Sequence, residues 1–210
     1  MADNYLGRKM EEYEAQKCAS VRTRRVSLLS LLTKNRSTRG FDSSFKVRED
    51  QLVSLIEAAR LAPTAMNQQA LRYRLVTESE ANLVLPHIRL GAALRDMKLP
   101  LEGTEPNAYV VICSTKEGRC VDMDLGIATQ TILLRAVEMG LNGICIAAFD
   151  KEAISEALQL PYAPQLIIAI GRTAERIEIV DINDGESQTY YRKNGVHYVP
   201  KLRTEELIIK

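Results

Sequence analysis

Three patches of this 210-residue chain carry side chains that could do chemistry. The first is Asn35-Arg36-Ser37-Thr38-Arg39, which puts two guanidinium groups and two hydroxyls side by side. Forked arginine donors match the acceptor oxygens of phosphate and carboxylate groups, so such a patch suits an anion. Taken alone it reads first as a solvated basic loop. The second is the small-polar loop Pro63-Thr64-Ala65-Met66-Asn67-Gln68-Gln69. The third is Lys201 and Arg203. In an extended segment residues two apart leave the same side of the chain, so both charges can reach one acceptor. It too, by itself, describes a solvated tail.

Other chemistries find no foothold. The only histidines, His87 and His197, have no partner at metal-ligand spacing, which speaks against zinc. Neither GxGxxG nor GxxxxGK[ST] occurs, so a Rossmann dinucleotide site and a P-loop are unsupported. There is no nucleophile elbow for a hydrolytic triad. Cys18, Cys113, Cys120 and Cys145 form no CxxC pair, and Cys113 and Cys145 lie in apolar runs that read as buried thiols of a reducing compartment.

The elements that must position these patches follow from periodicity. Leu28, Leu29, Leu31 and Leu32 make an apolar helical stripe just before the basic loop and are expected to tie it to a core. A helix over 49–61 stops before Pro63, and a strand starts near Tyr73. A helical pattern over 78–97 is interrupted by Pro86, and residues 98–107 read as loop. Ala108 to Ser114 is a buried strand. The pattern over 122–139 is a helix apolar on nearly every side, which places it centrally or at a subunit interface. Strands over 144–148 and 165–170 bracket a helix capped by Asp150. Asn194-Gly195 predicts a hairpin between Tyr190-Tyr191 and Val196 to Tyr198.

With 46% apolar residues the chain can bury one sizeable core. A net charge of +1, from 28 basic and 27 acidic residues, gives no bulk attraction to nucleic acid or an anionic membrane. No apolar run is long enough to span a bilayer and the charged start lacks a secretory core, so a cytoplasmic address is the expectation.

The order of these motifs resembles the FMN-dependent nitroreductase family from about Ser27 to the C-terminus. KNRSTRGF fills the slot of the family's basic cofactor element, with Asn35 where many relatives carry a first arginine. Ala62-Pro63-Thr64-Ala65-Met66-Asn67-Gln68-Gln69 matches its AP-[ST]-x-x-N-x-Q loop. DLGIATQTILLRAVEMGLNG is similar to its central dimer helix, ICIAAFDKEAISEALQLP to the following strand, flavin-contact turn and helix, and GVHYVPKLRTEELI to a C-terminus that lends a K-x-R pair to phosphate.

The resemblance implies an α+β nitroreductase fold, with a central, mostly antiparallel sheet flanked by helices, in an intertwined homodimer with shared active sites. One domain would cover residues 1–210, with a helical extension at 1–22, polar over 4–18, and an arm at 186–210 packed on the partner subunit. Arg36, Ser37 and Arg39 would contact the FMN phosphate and the flavin pyrimidine edge, and Lys201 and Arg203 would complete the phosphate clamp. Pro63, Thr64, Ala65 and Asn67 would reach the flavin from the other subunit, and the backbone at Ala147 and Ala148 would face its N5 region. No protein acid or base is required, because the flavin carries the redox chemistry. The implied activity is ping-pong reduction of nitroaromatics, quinones or a related electron-poor acceptor with NADH or NADPH. The alternatives are a specialised flavin-fragmenting, dehalogenating or azoline-oxidising member, and a non-catalytic flavin-binding protein.

Overall fold

The computed structural model describes residues 26–91, 97 and 99–209, together with Lys9. The extension expected at 1–22 lies outside the described residues except for Lys9, and so does part of the segment between Pro86 and Pro106. In chain order the helices are α1 (Leu28–Lys34), α2 (Glu49–Arg60), α3 (Arg119–Glu138), α4 (Lys151–Ala157) and α5 (Thr204–Leu207). The strands are β1 (Leu71–Val76), β2 (Ala108–Ser114), β3 (Asn142–Ile146), β4 (Pro164–Gly171), β5 (Arg176–Ile182), β6 (Tyr191–Lys193) and β7 (Val196–Leu202).

The sequence AYVVICS of β2 is apolar on both faces because both faces are covered, and every residue of the strand is buried. It lies inside a four-stranded sheet of order β1-β2-β4-β3 whose neighbours are all antiparallel. Alternation along the strands divides the core in two. Val110, Ile112, Ile168 and Ile170 pack with Leu52 and Leu55 of α2 and Ile132 and Leu133 of α3. Tyr109, Val111, Ile167 and Ala169 pack instead with Ile154 of α4, Val84 and Phe41. Each fully buried aliphatic side chain contributes about 1.5–3 kcal/mol relative to exposure, so this double-sided sheet is the rigid body of the molecule.

A second, three-stranded sheet of order β5-β7-β6 is built from the C-terminal segment, with β5 and β7 parallel. Its hairpin turns at Asn194 (φ 51°) and Gly195 (φ 75°), the left-handed pair that a two-residue turn requires. The Asp150 cap is also present, its Oδ1 accepting from the Ala153 N–H at 3.0 Å.

Two expectations change. The pattern over 78–97 gives only 3₁₀ turns at Glu78–Leu83 and Leu85–His87 among the described residues, because Pro86 interrupts the run. The leucine stripe of α1 does not reach a core within the chain. None of its residues is buried, and Leu28, Leu29 and Leu32 are 60%, 76% and 37% exposed. A seven-residue helix has one narrow apolar face, and this one points away from the sheet. On α3, Met123 and Ile127 are likewise exposed while Ile132 and Ala136 are fully buried, so that helix serves the core with one face only.

Candidate active site

The basic loop is fixed at both ends by hydrogen bonds to backbone groups. At the end of α1 the Asn142 amide donates to the Lys34 carbonyl at 2.9 Å and the Arg36 Nη2 donates to the Leu32 carbonyl at 2.8 Å, satisfying helix-end acceptors. Ser37 then pairs in parallel with Gly143, and the Thr38 N–H donates to the Gly143 carbonyl at 3.3 Å. The loop therefore lies along the open edge of β3. Beyond it Thr38 is fully buried, with its hydroxyl 2.7 Å from that of Thr173, and the Arg39 N–H donates to Glu175 Oε2 at 2.5 Å. Phe41, 2% exposed, anchors the far end in the core.

This placement forms one wall of a cleft of about 370 Å³. Gly143 and Cys145 of β3 and Gln130 and Leu133 of α3 form its floor, and Tyr190, His197 and Lys201 close it from the C-terminal side. Arg39 is 7% exposed. Its Nη1 donates to the Ser37 carbonyl at 3.1 Å and to His197 Nε2 at 3.3 Å, and its guanidinium lies 4.6 Å from the centroid of the Tyr190 ring. Glu175 balances part of the charge by also accepting from Arg192. Arg36 and Lys201 add further positive charge, so the cleft is cationic.

Burial lowers the pKa of Arg36. His197 is held below the ordinary imidazole value of 6.5, first by burial, then by Arg39 and Arg192, with Glu175 opposing. Burial raises the Cys145 thiol, which favours its protonated form. Cys113 is buried as expected, whereas Cys145 is exposed on the cleft side of β3, opposite the inward-facing Ile144 and Ile146.

Two buried donors of this cleft, Arg36 Nε and Arg39 Nε, lack a hydrogen-bond partner among the described residues. A buried donor left unsatisfied costs about 1–3 kcal/mol, so their clustering signals a ligand rich in acceptors and negative charge. FMN fits that demand, because it carries a phosphate and a pyrimidine edge of carbonyl and imine acceptors.

Arg36, Ser37, Arg39 and Lys201 thus line one cleft, an arrangement that the resemblance implies. Arg203 does not join them: it lies just past the end of β7 as an exposed residue whose N–H donates to the Ile182 carbonyl at 3.1 Å. Pro63, Thr64 and Asn67 line a separate pocket of about 220 Å³ with Tyr73 and Asp124, and the Ala65 N–H is held by both carboxylate oxygens of Asp124 at 3.0 and 3.2 Å. Ala147 and Ala148 are exposed on the turn after β3, which is pinned by the Arg89 N–H donating to the Ala148 carbonyl at 2.9 Å.

Sequence reasoning missed His197, Glu175 and Tyr190. For His197 a signal existed, since the period-two argument used for Lys201 and Arg203 also puts 197, 199 and 201 on one face of β7. Glu175 gave none.

The antiparallel sheet between helical layers, with a cationic cleft at its β3 edge, is the nitroreductase fold. The model of the nitroreductase family matches residues 32–109 and 107–172, and the chain belongs to that family. Among similar solved structures, the nitroreductase family protein of Streptococcus pneumoniae TIGR4 has a TM-score of 0.62 at 19% identity over 88% of this chain and 100% of that one. The FMN-dependent nitroreductase of Clostridium difficile R20291 has a TM-score of 0.56 at 25% identity, covering 71% of this chain and 89% of its own. A variant of the FMN- and NADPH-dependent nitroreductase NfnB from Sphigopyxis sp. strain HMH gives 0.59 at 19% identity over 71% and 89%. No described helix is long and apolar enough to cross a membrane, and no three or more His, Cys, Asp or Glu among the described residues are grouped so that they could hold a metal ion.

Proposed function

We propose that this member of the family is an FMN-dependent oxidoreductase that passes electrons from NADH or NADPH to a nitroaromatic, quinone or related electron-poor acceptor in ping-pong fashion. The observation that carries the reading is the pair of unpartnered buried donors on Arg36 and Arg39 in one cationic cleft. FMN-dependent relatives of the same fold support it.

Bound FMN would supply the two-electron chemistry, accepting hydride from the nucleotide and returning it to the acceptor. The chain's residues bind and orient. Lys201 and Arg36 neutralise phosphate. Arg39, held rigidly and nearly out of water, stabilises negative charge that develops on the pyrimidine edge, where a low-dielectric setting makes its field count.

The active form is a homodimer in which Pro63, Thr64, Ala65 and Asn67 complete the partner's site. The uncovered apolar side chains of α1 and α3, together with Leu207 and Ile208 at 65% and 60% exposure, supply surface for that association. The protein works in the cytoplasm.

The test is the anaerobic visible spectrum of the purified protein before and after NADH, then NADPH. Flavin bands that bleach and return on adding menadione or a nitroaromatic bear the reading out. A colourless protein that takes up no added FMN rejects it, and parallel initial-rate lines distinguish ping-pong from ternary-complex kinetics.

A further inference from the structure

Arginine has donors only, so the 3.3 Å contact between Arg39 Nη1 and His197 Nε2 fixes the imidazole as the acceptor and places its single proton on Nδ1. The ring is 2% exposed and is set by β7, where His197 lies opposite Arg192 of β6 and Ile177 of β5. The Tyr190 ring meets it edge-on at 5.3 Å while also carrying the Arg39 guanidinium on its face. The charged groups around it are Arg39 from the basic loop, Arg192 from β6 and Glu175 from the turn after β4. A neutral ring here is an acceptor for Arg39, whereas a protonated ring would be a third cation beside one carboxylate. The contact spends one Nη1 proton on a rigid strand and leaves the Arg39 Nε without a partner in the cleft.

We propose that His197 is a positioning residue that acts through Arg39, holding the guanidinium in the one orientation in which it can stabilise charge on the pyrimidine edge of bound flavin. The role rests on the flavin reading above. It requires the neutral ring with its proton on Nδ1, and it requires an acceptor at the Nε2 position rather than an imidazole as such. Glutamine, whose Oε1 can stand where Nε2 stands, should therefore replace it. Leucine, of similar size and without an acceptor, should not.

The test compares wild type, His197→Gln and His197→Leu at pH 7.5 by FMN titration and by the midpoint potential of the bound flavin. His197→Leu is expected to weaken FMN binding about tenfold, the equivalent of one hydrogen bond to a charged group, and to move the potential downward. His197→Gln should stay within about twofold of wild type. A purely structural role would lower the melting temperature of both variants without separating their potentials.

Nitrogen-15 NMR of the wild-type protein gives a second readout that needs neither flavin nor a variant at position 197, with His87 as internal reference. His197 should show the Nδ1–H tautomer, and Arg39→Met should release that preference. An Nε2–H tautomer in wild type, a His197→Leu protein equal to wild type, or a His197→Gln protein as impaired as His197→Leu overturns the proposal. A wild type that takes up no FMN removes the flavin role itself, while the tautomer still reports whether Arg39 and His197 are locked together.

Discussion

Gly143 and Ser37 lie side by side as a parallel bridge, which lays the basic loop along the edge of the sheet. The register leaves no room for a side chain on the glycine. A Cβ there would stand 2.6 Å from the Ala169 carbonyl oxygen and 2.9 Å from Leu133 Cδ2. Gly143→Ala is expected to cost about 1–3 kcal/mol, as overpacking of a rigid core does, and to weaken FMN binding because the loop moves with β3. Denaturant melts and a flavin titration check both effects. A variant as stable as wild type would show that β3 shifts freely.

Charge inside the cleft and charge beyond it should separate in binding. Lys201→Ala removes a cation that lines the site and is expected to reduce FMN affinity by about 1.5–3 kcal/mol, the worth of a charge-assisted hydrogen bond. Arg203→Ala, outside the cleft, should cost less. Equal losses in equilibrium titration would show that Arg203 reaches the ligand as well.

Asp124 is 5% exposed, and both of its oxygens receive the Ala65 N–H. Asp124→Ala strands that donor, at a cost of about 1–3 kcal/mol. It also loosens the Thr64–Asn67 segment, in which Met66 and Asn67 hold φ of 50° and 53°. If this loop completes the partner's site, turnover should fall further than stability alone explains, which steady-state rates at a temperature far below the melt will reveal.

Acid should destabilise the fold through His197. Its folded pKa lies below the unfolded value of 6.5, because burial, Arg39 and Arg192 oppose protonation. As pH falls below 6.5 the unfolded chain takes up a proton that the native state resists, so unfolding becomes easier until the folded pKa is passed. Melting temperatures from pH 7.5 to 5 should decline in wild type more steeply than in His197→Gln. Parallel curves would assign the acid sensitivity to other groups.

Leu29, 76% exposed on α1, tests the assembly. Leu29→Glu puts a charge on the uncovered leucine face and is expected to yield monomer in light scattering, with loss of activity if the sites are shared. A dimer unaffected by this change would mean that α1 lies outside the interface.

The core was legible because its pattern is local. Ala108 to Ser114 is an uninterrupted apolar run, and Asp150 stands at the start of its helix, so strand and cap follow from neighbours in sequence. The leucine stripe of α1 misled for the same reason: periodicity reports that a face is apolar, not what covers it. Arg36, Ser37 and Arg39 were found as a contiguous motif. Glu175 was not, because its role comes from meeting Arg39 and Arg192 in space, and no spacing in the chain announces that meeting.

Arg39 and His197 are separated by 158 positions, and the contact between them helps to define the cleft. During synthesis the main sheet is complete once β4 has emerged, whereas the cleft lacks its C-terminal side until the hairpin of β6 and β7 has followed. A nascent chain therefore holds the scaffold before it holds the cleft, and the FMN proposed above would have no complete site to grip until nearly the last strand is laid down. On that reading, loading would be a late event that samples only chains translated through Lys201.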